Sequence, residues 1–513
     1  MSAFVRVVFA IALASTSIAC ARLPDLGDRT ESERFLDTAD TRLGLATQAL
    51  VREHPGESGI LPLASGRAAF AARAMLADVA ERSIDVQYYI WEDDLSGTLL
   101  YEALHRAADR GVRVRLLLDD NRTAGHDSLL AGLDAHPSIE VRLFNPFKHR
   151  RWRVLDYVFD FSRINRRMHN KTFTVDNQVT IIGGRNVGDE YFGANQEAVM
   201  YDLDVLAIGP IVNDVSQDFD RYWASPSSYP ASVMLAGVEP LPLTELHDES
   251  ERIERAATAQ AYVEAIMKEP SVQGLLEGDL RLYWARTHLV SDDPNKVFDE
   301  ANSDDFLWVQ VRSLLDDPVS EMLLISPYVV PHVQGMEFLT SVAEGGAAVK
   351  VLTNSLEATD VAAVHAGYAK WRKDLLESGV RLYELKRNSS TPVTTSGGSL
   401  GSTASTLHAK SFAVDRARVF IGSFNFDPRS ANLNTEIGFV IESPELASAM
   451  SDLFIRDIPR YTYEVRLRRD GRGLEWIERR NGEEIIHETE PGSTYARRAI
   501  VAILSLLPID WLL

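Results

Sequence analysis

One eight-residue pattern, His-x-Lys-x-x-x-x-Asp, occurs twice in the chain in matching surroundings. The first copy, HNKTFTVD, begins at His169 and is followed by TIIGGRN. The second copy, HAKSFAVD, begins at His408 and is followed by VFIGSFN. One such triplet alone arises by chance with a probability on the order of 10⁻⁴ per start position. Two copies with the same glycine-to-asparagine tail therefore indicate an internal duplication.

The histidine and lysine of each copy point to the same face of a strand, because side chains alternate along a strand with a period of two. Two such pairs brought together make a pocket suited to a phosphodiester. The lysines neutralise its non-bridging oxygens, and one unprotonated imidazole attacks phosphorus to form a phosphohistidine. The other imidazole, protonated, serves the leaving alcohol and then the entering one. The residues predicted to do this are His169, Lys171, His408 and Lys410.

Four further residues belong to the repeated pattern. Asn186 and Asn425 follow the two motifs and are predicted to add amide donors for the diester. Asp176 and Asp415 complete the motifs and are grouped with the catalytic residues, although each follows an intervening strand segment. That position favours a physical role in turn hydrogen bonds. No ligand cluster of the zinc or calcium kind is evident, so neither a metal nor a cofactor is expected.

The composition is that of a large globular enzyme. The 513 residues are 45% hydrophobic and 25% charged, which is enough to bury more than one core. The formal net charge of −21 argues against a general nucleic-acid binder, because phosphate contacts need a basic surface. No nucleic-acid partner is therefore expected.

Strands and helices alternate in each half of the chain. SIDVQYYIW and VRVRLLLDD are predicted buried strands with a helix between them, and EMLLISPYVV and AAVKVLTNS repeat this order after the midpoint. The pattern predicts an α/β fold of two pseudo-symmetric α/β/α sandwich halves. The predicted segments are a signal segment (1–20), a tether (21–60), a first α/β domain (61–235), a linker with a helix (236–295), a second α/β domain (296–465), and a β meander with an apolar tail (466–513).

The motif pair resembles those of the phospholipase D superfamily, whose members build one active site between two such copies. The stretches FDFSRINRRMHNK, GGRNVGDEYFGA, LTNSLEATDVAAVHAGY and SFNFDPRSANLNTEIG resemble the bacterial cardiolipin synthase branch, C type. The resemblance implies an active site at the interface of the halves. It also implies that the downstream acids Asp202 and Glu436 contact the histidines. Related enzymes more often use the N-terminal histidine as nucleophile, which favours His169 in that role and His408 as the general acid and base.

The resemblance implies phosphatidyl transfer between phospholipids, with cardiolipin as product and phosphatidylglycerol or phosphatidylethanolamine as substrates. A hydrolytic phospholipase D would use the same residues with a wetter cleft. A nuclease-like phosphodiesterase is disfavoured by the net charge, and a non-enzymatic scaffold is disfavoured because both motifs are intact. The acceptor lipid and the need for an accessory protein stay open.

The first twenty residues predict export. Arg6 precedes an apolar run and a small-residue stretch that is too short to span a bilayer. The sequence Ser17-Ile18-Ala19-Cys20 resembles a bacterial lipobox, so lipidation at Cys20 is predicted; the alternative is an ordinary signal peptide cleaved nearby. By resemblance, Ala21 lacks the inner-membrane retention signal. The predicted location is the periplasmic side of a membrane, the outer membrane of a Gram-negative bacterium.

Two other segments point to a membrane surface. The run from Lys148 to Arg167 holds seven basic residues interleaved with aromatic ones, and it is predicted to face anionic lipid, with a solvated surface as the alternative. The last stretch, AIVAILSLLPIDWLL, either packs on the domain or dips into a membrane. The Ser/Thr/Gly-rich stretch 389–406 is predicted to be a flexible loop, either an active-site cover or a neutral surface loop.

Overall fold

Two mixed β-sheets, one from each half of the chain, form the frame of the protein. The computed structural model describes residues 22–27, 29–194, 199–277, 281–387, 393–395, 398–400 and 405–507. The strands that precede the crossing between the halves are β1 (Ser58–Leu63), β2 (Ser83–Tyr88), β3 (Arg113–Asp119), β4 (Ile139–Phe144), β5 (Thr172–Val175), β6 (Val179–Gly183), β7 (Val199–Tyr201), β8 (Asp204–Ile208), β9 (Ser228–Pro230) and β10 (Tyr283–Ala285).

The helices of this half surround its sheet. They are α1 (Arg42–Glu53), α2 (Gly66–Val79), α3 (Leu95–Asp109), α4 (Asp127–Asp134), α5 (Val154–Phe159), α6 (Phe161–Ile164), α7 (Asp189–Phe192), α8 (Ile211–Trp223), α9 (Ala231–Met234), α10 (Leu243–Arg255), α11 (Ala257–Met267) and α12 (Pro270–Glu277).

The second half repeats this alternation. Its strands are β11 (Thr287–Ser291), β12 (Glu321–Ile325), β13 (Ala348–Asn354), β14 (Arg381–Leu385), β15 (Val393–Thr395), β16 (Gly398–Leu400), β17 (Ser405–Leu407), β18 (Ser411–Val414), β19 (Arg418–Gly422), β20 (Ile437–Ile441), β21 (Thr462–Leu467), β22 (Leu474–Arg480) and β23 (Glu483–His487). Its helices are α13 (Leu307–Leu315), α14 (His332–Glu344), α15 (Ala362–Ala369), α16 (Arg372–Glu377), α17 (Pro428–Asn432), α18 (Pro444–Arg456), α19 (Ile458–Tyr461) and α20 (Tyr495–Leu504).

The strand orders of the two sheets correspond over eight positions, from β1 to β9 in the first sheet and from β11 to β21 in the second. The first sheet runs β10-β1-β8-β6-β5-β2-β3-β4-β9, and the second runs β11-β20-β19-β18-β12-β13-β14-β21-β22-β23. In each sheet a parallel trio (β2-β3-β4 and β12-β13-β14) adjoins the antiparallel motif hairpin (β5-β6 and β18-β19). The predicted fold of two pseudo-symmetric α/β/α halves is confirmed.

The apolar character of the central strands explains why each sheet is covered by helices on both faces. β2 and β5 are buried along their whole length, because helices cover both faces of the sheet. α8 packs on the inner face of the first sheet and α18 on that of the second. A shared core joins the halves, where Ile182 and Val205 of the first sheet meet Ile421 and Phe439 of the second.

Two predicted helices are each divided in the structure. The predicted helix 361–377 is α15 followed by α16, because the Trp371 amide bonds to the Tyr368 carbonyl three residues back and tightens the chain into a turn. The predicted helix 249–268 is α10 followed by α11. They part at Ala256, whose backbone is extended at φ −67° and ψ 139°.

The segments outside the two sheets pack against them. Arg29 donates to the carbonyls of Ala224 and Ser225 (both 2.6 Å), which holds the N-terminal segment on the first half. The stretch predicted as a linker contributes α10–α12, which contact α2 and α3, and the crossing between the sheets lies between Ala285 and Thr287. Most of stretch 389–406 lies outside the described residues; within it, β15 and β16 pair as a short hairpin.

The C-terminal segment combines a sheet extension with one helix. The predicted meander is present as β21, β22 and β23, which continue the second sheet beyond β14. α20 then buries Val501 against Leu356 and Ala366, packs Leu504 partly against the same cluster, and leaves Ile500 and Ile503 exposed. Across the described residues, none of the helices combines the length and the apolar character that crossing a bilayer requires.

Candidate active site

The two motifs meet where the central strands β5 and β18 of the two sheets begin. His169 lies just before β5 and His408 just before β18, and both imidazoles are largely buried. Each lysine bends back toward its own strand, so that Lys171 Nζ donates to the His169 carbonyl (2.6 Å) and Lys410 Nζ to the His408 carbonyl (2.5 Å). The predicted convergence of two imidazoles and two ammonium groups is therefore present.

Each histidine is held by a carboxylate from the opposite half. His169 Nδ1 lies 2.8 Å from Glu436 Oε2, and His408 Nδ1 lies 2.5 Å from Asp202 Oδ2. The family resemblance implied that these two acids contact the histidines, and the structure adds that the pairing is crossed. Because both Nδ1 atoms face carboxylates, both Nε2 atoms are directed toward the pocket, where a phosphorus or an alcohol would react.

The backbone repeats this crossing. The amide of His169 donates to the carbonyl of Thr435 (2.9 Å), and the amide of His408 donates to the carbonyl of Tyr201 (2.7 Å). Thr435 and Tyr201 each immediately precede the acid that binds the same histidine. β17, which leads into the second motif, also pairs with β7 of the first half. Main chain and side chain thus fix each histidine from the other half.

A difference between the motif tails makes room for different acids. A Cβ atom at Gly184 would lie 2.1 Å from Asp202 Oδ1, so only glycine leaves space for that carboxylate. Ser423 occupies the equivalent position in the second motif, and its hydroxyl donates to Glu436 Oε2 (2.5 Å). The two halves therefore use Gly with Asp on one side and Ser with Glu on the other.

The two His–acid pairs differ in charge. Burial strongly lowers the pKa of His169, and the nearby Lys171 and Lys410 lower it further. Burial also raises the pKa of Glu436 to about 7. His169 is consequently held as a neutral imidazole beside a carboxyl that is close to half protonated at neutral pH.

Asp202 stays ionised. Although burial opposes ionisation, the adjacent His408 and Lys410 hold the pKa of Asp202 well below its usual range. Burial and Lys410 lower the pKa of His408 below its usual range, and the Asp202 carboxylate opposes this shift. Of the two imidazoles, His408 is therefore the one with a stable anion to support its protonated form.

The pKa values of the two motif lysines are also shifted. Burial lowers the pKa of Lys171 to about 7 and that of Lys410 to about 8. A phosphodiester anion between them would oppose these shifts, because an opposite charge favours the ammonium form. The pocket is thus short of negative charge until an anionic group enters it.

The remaining motif residues divide into two groups. Asn186 is engaged, since its amide donates to the Tyr191 hydroxyl (3.0 Å) and its Oδ1 accepts from the Ile90 amide (3.3 Å). Asn425 Oδ1 is buried without a hydrogen-bond partner among the described residues. Of the two amides predicted as donors to the diester, Asn186 is used to position Tyr191, and Asn425 keeps the predicted role as a proposal.

Asp176 and Asp415 lie away from the histidines. Asp176 accepts from the backbone amides of Glu81, Arg82 and Ser83, and Asp415 accepts from those of Val319, Ser320 and Glu321. Each carboxylate therefore fixes the start of the strand next to its motif, β2 or β12, at the far end of β5 or β18. The grouping of these two residues with the catalytic ones is corrected: their contacts are structural, as their position after the strand favoured, and reach beyond the local turn.

Sequence reasoning missed two aromatic neighbours of the histidines. The Tyr89 ring packs edge-on to His169 (5.1 Å between centroids), and the Tyr191 ring packs edge-on to His408 (5.3 Å). Lys171 Nζ also lies 5.5 Å from the centre of the Tyr89 ring. Tyr191 lies in the segment after the first motif and Tyr89 directly follows β2, but nothing in their spacing distinguishes them from core residues.

A buried ion pair also went unassigned by sequence reasoning. Asp292 Oδ2 accepts from the Glu436 amide (2.9 Å) and from Lys296 Nζ (2.9 Å), and the Asp292 amide donates to the Glu436 carbonyl (3.0 Å). Lys296 Nζ in turn donates to the Ser430 carbonyl (3.1 Å). These bonds clamp the backbone on both sides of the Glu436 carboxylate. Asp292 belongs to the segment VSDDP (Val290–Pro294), whose role the sequence alone does not reveal.

The basic run from Lys148 to Arg167 is largely neutralised by the protein itself. Its cations pair with acids in Lys148–Asp160, Arg150–Asp127, Arg153–Asp120, Arg163–Asp160, Arg166–Asp299 and Arg167–Asp119. Arg167 and its partner are buried, and the Asp119 carboxylate also accepts from the Met168 amide (2.9 Å), next to His169. The main role of the run is therefore to support the backbone that leads to His169, and its charge contributes little to a basic surface.

His365 lies in the family-like stretch LTNSLEATDVAAVHAGY, and its contacts are those of a packed, buried residue. Its Nε2 is 3.0 Å from Glu490 Oε1, and Arg372 also pairs with Glu490 (2.6 Å). In the described part of the chain, no three His, Cys, Asp or Glu side chains are grouped as metal ligands.

Comparison with known proteins agrees with this geometry. The family model described as cardiolipin synthase, PLD-like domain, matches residues 75–223 and 311–458, one match per half. Cardiolipin synthase C of Escherichia coli (strain K12) is 48% identical over 479 residues, which cover 92% of this chain and 100% of that protein. A cardiolipin synthase of Halalkalibacterium halodurans is 25% identical over 79% of this chain and 66% of its own length.

A solved structure supports the fold. The crystal structure of phosphatidylserine synthase from Haemophilus influenzae Rd KW20 superimposes with a TM-score of 0.55 at 14% sequence identity, and the match covers 92% of this chain and all of that one. At this identity the likeness supports the two-halved fold and nothing about the reaction.

The unequal charges of the two acids lead to a prediction. Asp202→Asn removes the anion beside His408 and should slow turnover by roughly 10³–10⁴-fold at pH 7, the scale seen when a buried aspartate behind a catalytic histidine is neutralised. Glu436→Gln resembles the protonated acid and should cost only about tenfold, near the worth of one hydrogen bond. Rates of both purified variants would be compared after thermal unfolding confirms that they are folded. Equal losses would contradict the assigned charge difference.

Proposed function

The chain belongs to the cardiolipin synthase, PLD-like domain family, and we propose that it is a phosphatidyltransferase that makes cardiolipin from two phospholipids. The observation that carries the proposal is the 48% identity to cardiolipin synthase C along that protein's whole length. Both motifs are intact and converge with their acids in one pocket. That completeness argues against a relict site.

The first half-reaction transfers a phosphatidyl group to the enzyme. The lone pair on Nε2 of neutral His169 attacks phosphorus, and a P–N bond forms as the P–O bond to the headgroup alcohol breaks. His408, protonated and supported by Asp202, gives its proton to the leaving oxygen. Lys171 and Lys410 neutralise the charge on the non-bridging oxygens.

The second half-reaction reverses these roles. His408, now neutral, takes the proton from the headgroup hydroxyl of a second phospholipid. That oxygen attacks phosphorus, and the P–N bond to His169 breaks. The products are cardiolipin and the regenerated enzyme when the acceptor is phosphatidylglycerol. The donor is phosphatidylglycerol or phosphatidylethanolamine, which releases glycerol or ethanolamine.

The order of the histidines is supported by electrostatics. The low pKa of His169 keeps its nucleophilic form available, and the anionic Asp202 favours the acid form at His408. His169 is therefore proposed as nucleophile and His408 as general acid and base. Burial of both imidazoles also favours transfer over hydrolysis, because water is restricted at the phosphohistidine.

The proposed location follows from the substrates and the N-terminal segment. Residues 1–21 lie outside the described residues. Their sequence supports lipidation of Cys20 and attachment to a membrane on its periplasmic side, as an outer-membrane lipoprotein. Several acyl chains, at about 0.8 kcal/mol per buried methylene, hold such a protein permanently among its substrates.

The product distinguishes the proposed reaction from its rivals. With vesicles of phosphatidylglycerol, alone or mixed with phosphatidylethanolamine, the protein should release the headgroup alcohol and accumulate cardiolipin. His169→Ala is the control and should lose several orders of magnitude in rate, since no base-form imidazole remains to attack phosphorus. Phosphatidic acid as the sole product, measured by lipid mass spectrometry, would identify a hydrolase instead.

Trapping tests the order of the histidines. His408→Ala should still form the phosphohistidine from a phosphatidyl ester with a good leaving group, because such a group departs without a proton. His169→Ala should form none. The adduct would be mapped by peptide mass spectrometry. An adduct on His408 of the wild-type protein would reverse the two roles.

Metabolic labelling tests the lipid attachment. A fatty-acid analogue added to expressing cells should label the wild-type protein and leave Cys20→Ala unlabelled. Cys20 is the one cysteine of the sequence, so thioether-linked lipid has no other position. Equal labelling of both proteins would rule out lipidation at Cys20.

A further inference from the structure

Two exposed apolar patches stand out on the surface, and they come from distant parts of the chain. The first apolar patch comprises Trp152, Val154, Val158, Phe159 and Phe161, on and around α5 and α6. The second apolar patch comprises Tyr495, Ile500, Ile503, Leu506 and Leu507, on and after α20. Groups of large apolar side chains that stay in water mark surfaces that bind something.

The first apolar patch is attached to the loop that follows β3. Arg153 donates to the Asp120 carbonyl (2.8 Å), and the Tyr157 hydroxyl donates to Asn121 Oδ1 (2.9 Å). Asn121 Nδ2 in turn donates to the hydroxyl of Tyr89 (3.0 Å), whose ring packs on His169. Three side chains, Tyr157, Asn121 and Tyr89, therefore connect the helix that carries this patch to the proposed nucleophile, which places the patch at the mouth of the site.

The second apolar patch is attached to the loop that follows β13. Arg497 donates to the Thr359 carbonyl (2.8 Å), and α20 packs along α15, which begins just after that loop. The next residue, Asp360, accepts from the hydroxyl of Tyr328 (2.8 Å). The hydroxyl of Thr406, two residues before His408, donates to the Ala358 carbonyl of the same loop (3.0 Å), so this loop borders the same pocket from the other half.

The two attachment loops are equivalent in the duplicated fold. β3 and β13 hold the same place in their sheets, each parallel to the strand beside the motif hairpin. The patches are unrelated in sequence, yet each is hydrogen-bonded to the equivalent loop of its half. The pseudo-twofold relation of the halves therefore sets one patch on either side of the active site.

The chemistry of the patches fits lipid better than an anionic surface alone. The cations around the first apolar patch are mostly paired with the protein's own acids, so apart from the exposed Arg151 the patch surface is aromatic and aliphatic. Trp and Tyr at the border of such a surface are typical of the membrane interface. An apolar helix face that is docked by one side, as α20 is, suits the boundary between headgroups and acyl chains.

We propose that the two apolar patches form one bipartite lipid-binding face, which enters a single membrane leaflet with the active-site mouth between its two parts. Donor and acceptor phospholipids then reach the site from the plane of the membrane, one beside each half. The partner is the bilayer surface itself. The inference deepens the proposed function and rests on it for the identity of the lipids.

Vesicle binding tests the face directly. The full chain carrying Cys20→Ala, which has no lipid attachment, would be floated with vesicles of phosphatidylglycerol and phosphatidylethanolamine. Val158→Ser with Phe159→Ser in the first apolar patch should weaken binding at least tenfold, as should Ile503→Ser with Leu506→Ser in the second. All four changes together should abolish flotation. Activity on a short-chain, monomerically soluble phosphatidylglycerol should stay unchanged, because none of these residues touches the pocket.

Matched control residues lie at the opposite end of the motif strands in each half. Leu36 and Val319 are 71% and 77% exposed, as exposed as the patch residues. Leu36 lies in the segment bonded to Asn177, and Val319 is bonded to Asp415, so both are at the far end of the motif strands. Leu36→Ser and Val319→Ser should leave vesicle binding as it was.

The outcomes separate the lipid-binding face from the reaction. Patch variants that float like the parent protein would contradict the proposed bipartite lipid-binding face. A loss of binding confined to the variants of one patch would contradict it as well. Variants that float normally but lose a co-purifying protein would show a protein-binding surface instead. Reduced flotation together with an absence of cardiolipin would support the face and refute the proposed function.

Discussion

The structure depends on one crossed interaction, in which each half of the protein completes the histidine of the other. Glu436 and Thr435 hold His169, and Asp202 and Tyr201 hold His408. Separated halves would each carry a histidine without its acid and an acid without its histidine. The chemistry therefore requires the two sheets to be packed together, and the shared core between β6 and β19 is part of the catalytic apparatus.

The duplication is symmetric in its backbone and asymmetric in its charge. The decisive difference is the residue after the first motif glycine. Gly184 admits the Asp202 carboxylate, which remains ionised, whereas Ser423 donates its hydroxyl to Glu436, whose pKa rises to about 7. One hydroxyl and one methylene between the halves are enough to give two geometrically similar imidazoles different protonation preferences. Two equal motifs can thus divide an acid–base task.

The local features of the fold and site could be predicted from the sequence, and the long-range ones could not. Motif spacing predicted the strands β5 and β18, because apolar strand segments follow both motifs, but each His and Lys lies just before its strand and not on it. The crossed pairing, the Asp292–Lys296 clamp and the tyrosines at the histidines depend on register between distant segments, which no local pattern encodes. The charge of the basic run was misleading for the same reason, since most of its acidic partners lie outside the run.

The charge of the two buried lysines is balanced partly by the folded protein and partly by the substrate. Ammonium groups with pKa values of about 7 and 8 are held in the pocket at a cost in desolvation that the two acids offset only in part. A phosphodiester supplies the missing negative charge and raises the pKa values of both lysines. Its attraction to the two ammonium groups is stronger than in water, because water is excluded from the site. Substrate binding above pH 7 is therefore coupled to proton uptake, and the anionic diester, not a folding contact, completes the charge balance of the site.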